Sequence, residues 1–228
     1  MKKFELTTEF ITNMFGKKLF RIKALVEFGN VKAGELGGYV EKEENVSQDG
    51  NAWVSGDARV YGDAEVSGDA RVSGNAWVSG NAEVYGDAWV SGNAWVYGNA
   101  DVYGDAWVSG NARVYGNAEV SGNAEVSGDA WVSGNAWVYG NARVSGNARV
   151  SSDADYALVQ GFGTEFRCTT FYRGKNKKIM VNCGCFHGDL EGFRKQVKET
   201  RNGKIAKEYL MIADLMEYHF TSEDSSNE

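Results

Sequence analysis

Proline is absent from all 228 residues, histidine appears twice and cysteine three times. Without proline, no strand is forced to break or to lie at a sheet edge. Three cysteines, an odd number and all beyond residue 167, argue against a disulfide framework and point to a reducing cytoplasm. No apolar run approaches the roughly 20 residues that a membrane-spanning helix needs, so no membrane partner is expected. Met1-Lys2-Lys3-Phe4 lacks the apolar centre of a signal peptide. Both histidines, His187 and His219, come late, and residues 51–152 contain neither histidine nor lysine.

What fills that stretch is one phrase. Asn/Asp-Ala-x-Val-Ser/Tyr-Gly runs seventeen times without a gap from Asn51 to Ser152. Ala and Val never change, and Gly closes every copy but the last, where Ser152 stands. In Ala-x-Val the side chains alternate, so Ala and Val share one face and x takes the other. Gly and Asn/Asp then supply a corner, through backbone shapes closed to most residues. A single hexad cannot bury its Ala/Val face, but stacked hexads can, which is the logic of a solenoid. Three hexads per coil place residues eighteen apart above one another, at a strand spacing of ~4.8 Å.

Read as a ring, Val-x-Gly-x-Ala-x resembles the hexapeptide repeat of left-handed parallel β-helix proteins. Val60 and Val66 stand at the aliphatic place, Ala64 and Ala70 at the small place. The left hand is what that resemblance implies; the general rule for parallel crossovers favours the right. The run from Asn30 to Val40 also resembles the lead-in of bacterial and phage hexapeptide-repeat proteins. Cys183-Gly184-Cys185-Phe186, leading into Leu190–Phe193, resembles small C-terminal modules of phage and prophage proteins. These two likenesses imply a phage or prophage origin and a cytoplasmic or virion-associated place.

The expected architecture is mainly β. Residues 1–46 form an N-terminal β cap, with Leu19–Val26 as a strand pair or one long strand and Gly29-Asn30, Gly34 and Gly37-Gly38 as turns. Val40 and Val46 already stand six apart, so the hexad phase begins there, with an irregular step through Gln48-Asp49-Gly50. Residues 47–156 form the single-stranded left-handed parallel β-helix. Residues 157–228 form a small α+β (ββαα) domain, with a hairpin around Arg173-Gly174-Lys175-Asn176. One helix follows Gly188-Asp189 and carries Leu190, Phe193 and Val197. A second, after Asn202-Gly203, carries Ile205, Tyr209, Ile212 and Met216. Thr221–Glu228 reads as an acidic tail.

An eighteen-residue coil sorts the x residues into three faces. The first reads Trp53, Arg71, Trp89, Trp107, Glu125, Arg143 and the second Arg59, Trp77, Trp95, Arg113, Trp131, Arg149. The third reads Glu65, Glu83, Asp101, Glu119, Trp137. The corner after the first face is all Ser, whereas the other two corners mix Ser with Tyr. Stacked like charges destabilise adjacent strands, so the acidic column either faces screening solvent or meets a cationic surface. Exposed Trp in number marks contact surfaces. The candidate binding residues are therefore Trp53, Trp89, Trp107, Trp77, Trp95, Trp131, Arg59, Arg113, Arg149, Glu65, Glu83, Asp101 and Glu119. The partner is expected to be a protein, either a second copy (three prisms forming a homotrimer) or a host protein. Trp with Arg also suits sugars or single strands. Five Arg against eleven Asp and Glu in the repeat disfavour nucleic acid, whose phosphates require the opposite balance.

Many proteins of the resembling kind are acyltransferases, which implies a histidine base on a coil edge and usually a loop between hexads. This chain has neither in its repeat. A proton-transfer group must reach its substrate, so a non-enzymatic rod with no cofactor is expected. The alternatives are a phage-encoded inhibitor of a host protein, acting by negative-charge mimicry, and an acyltransferase-like enzyme. Cys183, Cys185 and His187 alternate as on one strand, with Cys168 on its partner; they form a Cys3His zinc alternative to ordinary buried thiols. Asp69, Asp87 and Asp105 stack at corners, where calcium binding competes with plain corner hydrogen bonding.

Overall fold

The computed structural model describes residues 2–221. Its body is a parallel β-solenoid of about six turns, and the register is eighteen residues throughout. Trp89 pairs with Arg71 on one side and Trp107 on the other, Arg113 with Trp95 and Trp131, and Asp101 with Glu83 and Glu119. Each coil thus holds three hexads, and the three faces are three separate sheets. Every repeat Ala and Val from Ala52 to Val150 is at most 1% exposed, so the shaft is dry. Burial contributes roughly 1.5–3 kcal/mol per valine before entropy is charged.

Glycine's place in the phrase follows from stacking. Gly110 has φ +68°, and a Cβ there would lie 2.9 Å from the amide nitrogen of Gly128 in the next coil. The last coil escapes this contact, since a Cβ on Gly140 would meet only the Leu158 side chain at 3.9 Å and one on Gly146 only the His187 ring at 3.2 Å, and in the seventeenth copy the glycine itself is gone. Ser152 sits in extended backbone (φ −152°) as the chain leaves the solenoid through a short 3-10 turn, Asp153–Asp155.

The ladder has a direction. The amide of each outward residue donates to the alanine carbonyl one coil on, as in Trp53 to Ala70 at 3.0 Å and Arg113 to Ala130 at 2.9 Å. The first coil is therefore left with acceptors and the last with donors, and each end must be covered. At the N-terminal end the covering groups are donors. Lys3 Nζ donates to the carbonyls of Asp49, Gly50 and Ala52 at 3.3, 3.3 and 3.0 Å, and Asn45 Nδ2 to those of Gly62 and Ala64. At the C-terminal end they are acceptors. Thr170 Oγ1 takes the Arg143 amide at 2.9 Å and Asp153 Oδ1 the Trp137 amide at 2.8 Å.

The N-terminal cap extends the second face. Leu36–Val40 pairs parallel with the first coil, Val40 opposite Val60, and then antiparallel with Lys18–Ala24, which pairs with Phe4–Thr12. Val46 bridges Val66. Both pairs are twenty residues apart rather than eighteen, so the irregular step before Asn51 adds two residues. Gly37 and Gly38 are not turn residues but lie within a strand crossing the mouth of the first coil. A Cβ on Gly38 would meet the Ala58 carbonyl at 2.6 Å, so close approach, not turning, requires glycine there.

Behind the solenoid stand four antiparallel strands rather than the expected two: Tyr156–Phe162, Arg167–Arg173, Ile179–Cys183 and Phe186–Asp189. Strand alternation sends Tyr172 onto the solenoid core and its neighbour Phe171 towards the helices. Helix α1 (Leu190–Thr200) is capped by Asp189, whose Oδ1 accepts the Gly192 amide. It buries Leu190, Phe193 and Val197, while helix α2 (Gly203–Thr221) buries Tyr209, Ile212, Ala213, Met216 and Phe220. Beyond Thr221 itself, the expected acidic tail lies outside the described residues. No helix among them is long and apolar enough to cross a membrane.

Candidate binding faces

On the second face the outward residues form one continuous stack. Arg59 lies over Trp77 at 5.0 Å, Trp77 and Trp95 stack at 4.9 Å with their planes 2° apart, and Arg113 lies between Trp95 and Trp131 at 5.0 and 5.1 Å. Arg149 closes the stack over Trp131 at 4.1 Å. Each cation–π contact contributes about 0.5–1 kcal/mol at such sites. Every indole here thus has both faces covered by its own column. What the surface presents is ring edges, indole N–H groups and guanidinium edges. This removes the second face as a platform for stacking sugars or bases, a geometric fact that residue type alone does not disclose. Among the described residues, no carboxylate forms a salt bridge with Arg59, Arg113 or Arg149, and Trp77, Trp95 and Trp131 donate to no protein acceptor. Arg149 instead turns back on the carbonyls of Asp129 and Ala148.

The first face is more open. Trp89 and Trp107 stack at 5.7 Å and are 47% and 42% exposed. Their indole N–H groups donate to the corner serines of the previous coil, Trp89 to Ser73 at 3.1 Å and Trp107 to Ser91 at 3.2 Å. That gives a physical reason for serine at those corners. Arg143 pairs with Glu125 at 3.0 Å. Trp53, read from sequence as a binding residue, is not on the surface. It is 5% exposed, with Phe4 and Phe28 edge-on against it; the N-terminal cap claims it for the core.

The third face carries Glu65 and Glu83 exposed, with Asp101 and Glu119 partly buried. Burial, and then the charges of Glu83 and Glu119, push the Asp101 carboxyl above its usual range. Tyr85 and Tyr103 stack beside this column at 5.0 Å, and the Tyr103 hydroxyl donates to Glu119 at 3.0 Å. None of the four carboxylates has a salt bridge among the described residues. The corners between faces are tied by amide ladders, such as Asn81 to Asn99 to Asn117 to Asn135 at 3.0 Å each.

Cys168, Cys183, Cys185 and His187 do not form a site. The strand ends at Cys183, and Gly184-Cys185 is the turn of a hairpin, so the three residues do not alternate along one strand. His187 pairs across from Asn182 and meets its Oδ1 at 2.6 Å, while Cys183 Sγ accepts from Thr169 at 3.1 Å. Among the described residues no three His, Cys, Asp or Glu side chains are grouped to hold a metal ion. That applies also to the Asp69, Asp87 and Asp105 column.

Eighteen-residue register, invariant buried Ala and Val, and stacked glycine corners decide what kind of molecule this is. The chain is a β-solenoid repeat protein. Three of its stretches, 64–80, 106–122 and 136–152, match the family model of the YdcK beta solenoid repeat. Each matched stretch spans one coil short of a residue. No curated protein matches the chain.

Proposed function

We propose that this β-solenoid is a rigid, non-catalytic rod that docks protein partners along its side, through the Arg/Trp column of its second face and the carboxylate column of its third. The observation that carries this reading is that the two columns match row by row. Arg59 shares a coil with Glu65, Trp77 with Glu83, Trp95 with Asp101 and Arg113 with Glu119. Set side by side and in the same direction, the second face of one copy would meet carboxylates opposite every guanidinium and every free indole N–H of those four rows. Such a contact is heterologous. On a three-sided prism the two faces meet at a corner of about 60°, so flat docking turns by about a sixth of a revolution per copy and closes into a ring of six, whereas three copies would meet only along the shared corner. The expected partner is thus a second copy, in a closed homo-oligomeric ring.

Charge complementarity of this kind sets register and specificity more than affinity. Light scattering at about micromolar concentration should give a multiple of the 24.9 kDa chain mass, up to about six copies for the closed ring, and a monomer mass overturns self-docking. Arg113→Glu should dissociate the assembly, and adding Glu119→Arg should restore it. Added salt should weaken it, because exposed charges are screened within about 10 Å at 0.1 M.

A second reading is supported by the same unpaired carboxylates: an acidic column that occupies a basic site on a host protein, in the phage or prophage setting that the sequence likenesses imply. It would retain monomers in solution and capture a basic partner with steep salt dependence. Acyl transfer finds no support in the side chains of the solenoid, and acyl-CoA should leave its melting temperature unchanged.

A further inference from the structure

The corner after the second face carries a gap in a column of rings. It reads Tyr61, Ser79, Tyr97, Tyr115, and the rings of Tyr97 and Tyr115 stack at 5.0 Å with planes 3° apart. At Ser79 one ring is missing between Tyr61 and Tyr97. A cavity of about 320 Å³ lies there, lined by Tyr61, Trp77, Ser79, Trp95 and Tyr97, with Met14 and Phe15 over it. Engineered cavities half that size hold benzene.

The third face shows what such a gap accepts. There Ser121 interrupts Tyr103 and Tyr139, and the indole of Trp137 closes the space. Its Nε1 donates to Ser121 at 3.0 Å and its ring lies 4.9 Å from Tyr139, leaving Ser121 5% exposed. The matching residue for Ser79 is Trp95, but Trp77 and Arg113 hold it flat within the Arg/Trp stack. Ser79 therefore stays open.

The roof is preformed. Met14 and Phe15 are 73% and 69% exposed on the turn of the N-terminal hairpin. Asn13 Oδ1 fixes that turn by accepting the amides of Phe15 and Lys17, both at 3.0 Å. Lys17 binds Glu41 at 2.8 Å, and Glu41 in turn accepts the Gly62 amide at 2.8 Å beside Tyr61. Two large apolar side chains are thus held over an aromatic floor, where free solvation of a loose loop would be the alternative.

We infer that this notch binds a planar aromatic side chain of a partner polypeptide, inserted over Ser79 between Tyr61 and Tyr97. The inference does not depend on side-by-side docking. Its test uses the full chain with 13C-labelled methionine methyls, the Met14 signal being assigned from Met14→Leu. N-acetylphenylalaninamide serves as probe and N-acetylleucinamide as control. Ring current should shift the Met14 methyl saturably with the phenylalanine probe, in the millimolar range expected for one buried ring. The leucine control should leave it in place. Ser79→Tyr fills the gap from within and should abolish the shift while the protein still melts cooperatively; Ser79→Ala should retain it. No shift up to about 10 mM, an equal shift with the leucine amide, or an undiminished shift in folded Ser79→Tyr overturns the inference.

Discussion

At the scale of single residues, charge placement decides what the two ends and the third face require. Lys3 is 4% exposed, donates to three carbonyls of the first coil and lies over the ring of Phe28 at 4.9 Å. Burial, opposed by Asp49 and Asp69, pushes its ammonium down to about 8. The folded protein therefore releases this proton before the unfolded chain does, near 10.4 in a model peptide. Between these two values the unfolded state holds more protons, so this group makes stability rise with pH across that window. Titration of the Lys3 Nζ by NMR should give a midpoint near 8, and an ordinary lysine value would contradict the buried placement. Asp101 works in the opposite direction. Its carboxyl is raised, so its contribution is favourable below the carboxylate range and is lost as pH rises through it. Asp101→Asn should thus stabilise the fold at pH 7 by on the order of 0.2–1 kcal/mol, read as a higher melting temperature, with the gain fading towards pH 3. Asp101 is legible in the sequence as one of the stacked carboxylates, whereas Lys3 is not. Lys3 belongs to no pattern, and Trp53 looks like every other tryptophan until the cap that covers it is in place.

At the scale of elements, the repeat was almost wholly legible and the caps only partly so. An invariant six-residue phrase lets every strand inherit the same environment, so one alternation rule applied to Ala52 and Val54 holds through to Val150. The three columns then follow by counting. The segments that close the ends obey no period. Gly37-Gly38 reads as a turn but packs as a strand, because the relevant contact is the Ala58 carbonyl of the first coil, twenty residues along the chain from Gly38. The C-terminal unit reads as one hairpin, yet Tyr156–Phe162 and Phe186–Asp189 join it, since strand length there depends on partners rather than on local pattern. The same loss of a continuous strand at Cys183 dissolves the cysteine–histidine alignment. A glycine comparison tests the stacked corner directly. Gly110→Ala should cost roughly 1–3 kcal/mol, from left-handed strain plus the contact with Gly128. Gly203→Ala, at φ +58° with open space around it, should cost less, and equal losses by thermal melting would contradict the stacking explanation.

At the scale of the whole molecule, the core and the faces make separate demands. The core needs only that hexads follow one another, because each supplies the same Ala and Val. The faces need the number eighteen, because only a whole coil keeps arginine over tryptophan and carboxylate over carboxylate. Deleting residues 105–110 should therefore leave a folded solenoid, with both caps on their own coils, while placing Glu119 in the second-face column where Arg113 stood. Deleting residues 105–122 removes one whole coil and keeps every later residue in its column. Light scattering of these two proteins beside the full chain, at about micromolar concentration and low salt, is the most direct test. The account predicts a closed oligomer for the full chain and for the eighteen-residue deletion, and a folded monomer for the six-residue deletion. Equal assembly of both deletions, or a monomeric full chain, would contradict it.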